Sequence, residues 1–152
     1  MDLRFLVDGM KLNVRAGVMI IKDGKVLLHK NDNKENYCLP GGGVKFLESS
    51  DETVIREVKE ETGMDIKIDE FVSTIENIFE QNGIKFHEIY FIYKASPVGD
   101  IDTSKVINNL EGKPLKYGFV DIDKIDDYYI LPVVSKDLIK NKKEHIINRE
   151  IK

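Results

Sequence analysis

The alternation of apolar and polar positions predicts β-structure in the first part of the chain. Residues 12–21 are rich in Val and Ile, and a second apolar run, Lys25-Val26-Leu27-Leu28-His29, follows Asp23-Gly24. Two such runs joined by Asp-Gly predict a hairpin, because that dipeptide suits a tight two-residue turn. A polar loop at 31–36 leads into Leu39-Pro40-Gly41-Gly42-Gly43, where proline and consecutive glycines predict irregular backbone. A helix is expected next: Ser49 and Glu52 have capping-box spacing, and Gly63 stands where a helix ends. Beyond it, 65–68, 71–79 and 85–95 are β-rich, and Asn82-Gly83 predicts a second hairpin. The polar stretch 96–114 contains Pro97 and Gly99 and reads as a loop, and long loops in compact domains are often functional. Residues 115–120 read as a further strand and 133–141 as a short helix after Pro132. The tail with Lys140, Lys142, Lys143 and Arg149 reads as a solvated end. Strands mixed with a strong internal helix and a terminal helix predict an α/β fold, and the hairpins argue against a purely parallel sheet.

Composition narrows the function classes. With 152 residues and no repeat or linker, the expectation is one domain spanning 1–152. The hydrophobic fraction of 41% permits a packed core. A net charge of -4 argues against a protein that coats nucleic acid. One cysteine, Cys38, excludes an intrachain disulfide and fits a reducing compartment. The longest apolar run, 16–21, is far short of the roughly twenty residues of a membrane span. The N-terminus lacks a secretory pattern. The expected location is cytoplasmic.

The acidic helix changes the picture. On a wheel of about 100° per residue with Glu57 at zero, Glu61 lies near 40° and Glu60 near 300°. Val54, Val58 and Ile55 fall near 60°, 100° and 160°, marking the expected buried stripe. The carboxylates therefore overlap the edge of that stripe. Glu57 and Glu61, four apart, repel each other, and like charges at a half-buried edge call for a cation. Oxygen ligands without clustered His or Cys select Mg²⁺ or Mn²⁺ over Zn²⁺. Gly41, Gly42 and Gly43 let backbone approach a ligand closely.

Gly42, five residues, Glu48, seven residues, Arg56-Glu57-Val58, one residue, Glu60-Glu61, one residue, Gly63-Met64 resembles the Nudix box at every defined position. A chance match of this pattern falls below about one in ten million at average residue usage. The resemblance implies a Nudix α/β/α sandwich around a mixed sheet, with a catalytic loop-helix and a C-terminal helix. It implies hydrolysis of a nucleoside diphosphate linked to another group, with a nucleotide-binding or regulatory Nudix module without turnover as the alternative. It further implies Glu57 and Glu61 as principal Mg²⁺ ligands, Glu60 as a direct or water-held ligand and the Gly42 carbonyl as a backbone contributor. Arg56 would orient a box carboxylate, and Glu48 would join the network or help hold metal. The general base would be Glu57 or Glu60.

Outside the box, alternation in 86–93 puts Glu88 on one face with Phe86, Tyr90 and Ile92, so this is expected to be an inner strand. An acid there needs a partner, and Glu88 is a further candidate for the site. A three-residue turn at 81–83 would set Glu88 opposite Glu76, and a two-residue turn shifts the register by one. Glu111 in the long loop is a weaker alternative. Arg15 is a candidate phosphate contact. His29 and His87 read as structural or surface residues, and Cys38 has no base beside it to make it a nucleophile. A small nucleoside triphosphate or nucleotide sugar is the expected partner. The β-rich segment 3–7, as a pairing or exchanged strand, leaves room for a homodimer.

Overall fold

The computed structural model describes residues 1–141 and 143–152, so Lys142 of the basic tail lies outside the described residues. The strands are β1 (Arg4–Val7), β2 (Met10–Lys22), β3 (Lys25–Asn31), β4 (Tyr37–Cys38), β5 (Gly41–Gly43), β6 (Ile66–Gln81), β7 (Ile84–Pro97), β8 (Ile107–Asn108), β9 (Leu115–Asp121) and β10 (His145–Arg149). The α-helices are α1 (Ser50–Thr62) and α2 (Val134–Lys140), and Ile122–Asp127 forms a 3-10 helix. The sheet runs β10-β6-β7-β2-β3-β9-β8, with β1 and β5 attached to β2 and β4 to β3. β2 and β7 are parallel, as are β6 and β10, while the other pairs are antiparallel. The expected mixed sheet is therefore present.

Both hairpins have two-residue turns. Lys22 pairs with Lys25 across Asp23 (φ 51°) and Gly24 (φ 72°), and Gln81 pairs with Ile84 across Asn82 (φ 53°) and Gly83 (φ 78°). Two consecutive positive φ values match the right-handed strand twist, which is why Asp-Gly and Asn-Gly occupy these turns. The second turn decides the open register: Glu88 faces Asn77, and Glu76 faces Ile89.

β2 is buried on both faces. Ala16, Val18 and Ile20 meet Val54 and Val58 of α1, together with Met64 and Ile66. Met19 joins Leu28, Ile75, Tyr90 and Ile92 beneath Leu138 and Ile139 of α2 on the other face. One helix on each side makes the expected sandwich.

The structure corrects several expectations. Gly41–Gly43 is a short strand paired with Arg15–Gly17 of β2. Its glycines permit the approach, since a Cβ on Gly41 would lie 2.0 Å from the Ala16 carbonyl oxygen. The tail is not a solvated end: β10 pairs in parallel with 74–78 of β6, half-burying Ile146. The adjacent pair Ile146-Ile147 hides this strand, because it breaks the alternation a half-buried strand shows. The expected segments 65–68 and 71–79 are one strand, β6, interrupted by register shifts near Ile68 and Phe71. Within 96–114, Ile107–Asn108 pairs with β9. Ile55 is 41% exposed instead of facing the core, and the buried face of α1 is Thr53, Val54, Val58 and Glu61. That face lies closer to the acidic arc than the wheel predicted. Residues 4–7 pair with β2 of the same chain as β1. Among the described residues, no helix is long and apolar enough to cross a membrane.

Ile20 is fully buried between sheet and α1. Ile20→Ala should lower the unfolding free energy by about 2–5 kcal/mol through lost burial and a residual cavity. Phe46→Ala, at an exposed position, should change it by less than about 0.5 kcal/mol. Urea titrations of the two variants check the contrast.

Candidate active site

The site begins where α1 starts. Glu52 accepts a hydrogen bond from the Ser49 backbone N–H at 2.9 Å, and Gly63 in the left-handed region closes the helix with its N–H on Lys59 O. Between these ends, Arg56 acts as a hub. Its Nε donates to Glu48 Oε2 (2.6 Å) and its Nη2 to Glu48 Oε1 (2.9 Å), a bidentate pair. Nη1 donates to Glu57 Oε1 (2.9 Å) and Glu60 Oε2 (3.2 Å), and Nη2 also reaches the Gly43 carbonyl (3.3 Å). The planar guanidinium suits this work because its fixed fork of donors serves several oxygens at once. Thr53 Oγ1 donates to Glu48 as well, at 2.7 Å.

Glu57 lies directly on the glycine strand. A Cβ on Gly42 would meet Glu57 Cδ at 2.5 Å and Oε1 at 2.6 Å. Any side chain at Gly42 would displace the carboxylate, so β5 and α1 bring the Gly42 backbone and Glu57 together. Ligand oxygens of Glu57, Glu60 and Glu111 lie within 4.8 Å of one another, with Glu57 half-buried and the other two exposed. This all-oxygen donor set, beside a cradle that a Cβ would fill, fits a hard divalent cation.

Glu61 occupies a different setting. It is 5% exposed, Tyr117 donates its hydroxyl to Glu61 Oε2 at 2.7 Å, and burial together with the neighbouring Glu57 carboxylate pushes its pKa up to about 7. Tyr117 in turn accepts from Asn109 Nδ2 (3.2 Å). Asn109 Oδ1 accepts from the Glu111 N–H (2.8 Å) and the Lys113 N–H (3.3 Å), while the Leu110 N–H donates to the Glu61 carbonyl (2.8 Å). This latch brings the loop carrying Glu111 against α1. Sequence reasoning ranked Glu111 low and missed Asn109 and Tyr117. The available signal was Asn109 two residues before Glu111, the spacing of an Asx turn.

Glu88 and Arg15 belong to the sheet face that carries α2. There they line a cavity of about 470 Å³ together with Asn13, Asn77, Phe79, Phe86, Tyr129 and Asn148. Glu88 is 5% exposed and pairs with Arg15 at 3.9 Å. The carboxylates that close to 4.8 Å include Glu111 and not Glu88. Arg15 links the two regions: it lines the cavity, pairs in register with Gly43 and interacts electrostatically with both Glu88 and Glu57. His29 packs against the Tyr117 ring, and burial lowers its pKa to about 4. Burial pushes the Cys38 thiol up, which keeps it a poor nucleophile.

Residues 11–141 match the profile of the NUDIX domain. The chain belongs to the NUDIX family. A MutT-like protein of Streptomyces ambofaciens is 30% identical over 87 residues, covering 57% of this chain and 53% of that protein. An ADP-ribose pyrophosphatase of Methanocaldococcus jannaschii is 47% identical over 53 residues, 33% of this chain and 31% of that one. The chain thus spans about half and about a third of these relatives. Among solved structures, a MutT protein from Methanosarcina mazei superposes with a TM-score of 0.60 at 26% identity, covering 85% of this chain and 91% of that one. A mutator MutT protein from Bacillus halodurans gives a TM-score of 0.67 at 24% identity, covering 85% and 80%, and shares the fold.

The Glu48–Arg56 pair has a pH signature. Hydrogen bonds from Arg56 hold the Glu48 carboxyl at about 2, below its ordinary 4.5. A depressed folded-state pKa adds stability above the unfolded value, and that stability is lost as pH falls through 4.5 toward 2. Glu48→Gln should therefore be less stable than wild type at neutral pH, with the gap closing on acidification. Urea unfolding in EDTA across this range checks it, and a gap independent of pH would refute it.

Proposed function

We propose that the chain, acting as one hydrolase domain, cleaves the pyrophosphate bond of a small nucleotide with Mg²⁺, Mn²⁺ serving as a substitute. The observation that carries this reading is the convergence of Glu57, Glu60 and Glu111 to within 4.8 Å, with Glu57 seated on Gly42 and held by Arg56. In this reading Glu57, Glu60 and the Gly42 carbonyl hold the cation, with Glu111 completing the set. Glu61, buried against Tyr117, orients Glu57 and the Glu111 loop from behind. A divalent cation there would neutralise the charge that develops on the phosphoryl oxygens. The protein's own residues do the rest. Arg56 and Glu48 keep the acids in place, and Glu57 or Glu60 accepts the proton of the water that attacks phosphorus. Arg15, between the acids and the cavity, meets a substrate phosphate. Gly41, Gly42 and Gly43 give the phosphates close access to the backbone.

The rest of the nucleotide would occupy the cavity, whose volume of about 470 Å³ is in the range of small-molecule sites. Nucleoside triphosphates and nucleotide sugars are the proposed substrates, and the ADP-ribose pyrophosphatase relative adds ADP-ribose to that set. The proposed compartment is the cytoplasm, consistent with a single unpaired Cys38.

Phosphate or pyrophosphate release from a nucleotide panel with Mg²⁺ tests the reaction. Glu57→Gln should lower kcat by at least about 100-fold, and no turnover by the wild type on any substrate would overturn the proposal. Added Mn²⁺ should raise the melting temperature of the wild type by mass action. It should raise that of Glu111→Gln less, and an unchanged wild-type melting temperature would refute the metal site.

A further inference from the structure

One row of side chains crosses four strands on the cavity face. Asn13 of β2 faces Glu88 of β7, Glu88 faces Asn77 of β6, and Asn77 faces Asn148 of β10. All four line the cavity. Asn13 Nδ2 donates to Glu88 Oε2 at 3.3 Å, and Asn77 Nδ2 donates to Glu88 Oε1 at 3.2 Å. Asn148 Nδ2 then donates to Asn77 Oδ1 at 2.7 Å. The amide orientations follow from the carboxylate: turning Asn77 or Asn13 over would set oxygen against oxygen. Each Glu88 oxygen receives one amide hydrogen and keeps acceptor capacity, since an ionised carboxylate offers about four lone-pair sites. Arg15 approaches only to 3.9 Å, too far to use one as a hydrogen bond. Asn13 is 6% exposed, and its Oδ1 has no hydrogen-bond partner among the described residues. A buried acceptor without a partner is costly unless something donates to it.

We infer that this row is the recognition element of the cavity: Glu88 takes two adjacent hydrogen-bond donors of the substrate in bidentate contact, and Asn148 holds the row in register as a positioning residue. The inference rests on the hydrolase reading for the phosphate end of the ligand. A carboxylate braced by two amide donors matches paired N–H or O–H groups and rejects an edge where donor and acceptor alternate. Two parts of a nucleotide present such pairs, the N1–H and 2-amino group of guanine and the vicinal diol of ribose. β10 lies beyond the residues matched to the NUDIX profile, so this contribution belongs to the chain's own C-terminal segment.

The test is calorimetric binding of nucleoside monophosphates to the full-length protein in EDTA. GMP against IMP removes one base donor, and AMP against 2′-deoxy-AMP removes one diol donor. The row predicts at least about a tenfold preference for the donor-complete member in one pair, because the missing donor leaves a buried acceptor unpaired. The pair that discriminates identifies the source. Glu88→Gln, which replaces one acceptor by a donor, should reduce that preference to within about threefold. Asn148→Ala, which removes the amide donor without setting an oxygen against Asn77 Oδ1, should weaken the preference with little change in melting temperature, since residue 148 lines the cavity. Equal affinities within both wild-type pairs would overturn the inference, as would a preference that survives Glu88→Gln. Turnover with Mg²⁺ but no donor preference sinks the recognition row alone. A donor preference without turnover on any nucleotide sinks the hydrolase reading alone.

Discussion

The carboxylates of Glu48, Glu57 and Glu60 all hydrogen-bond to the guanidinium of Arg56, and the arrangement of the site depends on that balance of charge. Residues 48–61 carry six acids and two bases, a local charge of -4 equal to that of the whole chain. Left to themselves, like charges one helical turn apart would turn toward solvent. Arg56 keeps them gathered and ties them to the Gly43 carbonyl. The absence of a side chain at Gly42 then allows Glu57 to rest on β5. Helix, glycine strand and acids therefore form one mechanical unit, and β2 holds that unit through its pairing with β5.

A second connection closes the acidic cluster from the far end of the chain. Glu61 points inward, where burial makes its charged form unfavourable. Tyr117 hydrogen-bonds it, and Asn109 bridges from Tyr117 to the backbone of Glu111. A loop with little regular structure thereby places an acid beside two helical ones. Glu57 and Glu61, four residues apart on one helix, thus occupy different environments. Glu57 sits among donors beside the glycines, whereas Glu61 is packed against a phenol.

The two faces of the sheet are used differently. One is covered by α1 and carries the acids at its edge, while the other packs α2 and holds the cavity. β2 serves both through the side-chain period of two. Val14, Ala16 and Val18 point toward α1, and Asn13 and Arg15 point toward the cavity. Arg15, in register with Gly43, is where the faces communicate.

The amino-acid sequence by itself determined the helix with its caps, both hairpin turns, the mixed α/β class and the acids of the box. Each rests on spacing within one segment: Ser49 to Glu52, Asp23-Gly24, Asn82-Gly83, and the four-residue step from Glu57 to Glu61. It named Glu88 and Glu111 without deciding where either stands. Tertiary structure alone settled those questions. Whether Glu88 faces Glu76 or Asn77 turned on one residue of hairpin register, and a shift of one exchanges the faces of a strand. Glu111 joins Glu57 and Glu60 through contacts from Glu61 to Tyr117 and Asn109, which are about fifty residues away along the chain. Parallel pairing of β10 with β6 has no turn to announce it, so a basic tail conceals a strand. Local patterns encode what neighbours along the chain do. Which distant side chains meet follows only from closing the sheet and packing a helix on each face.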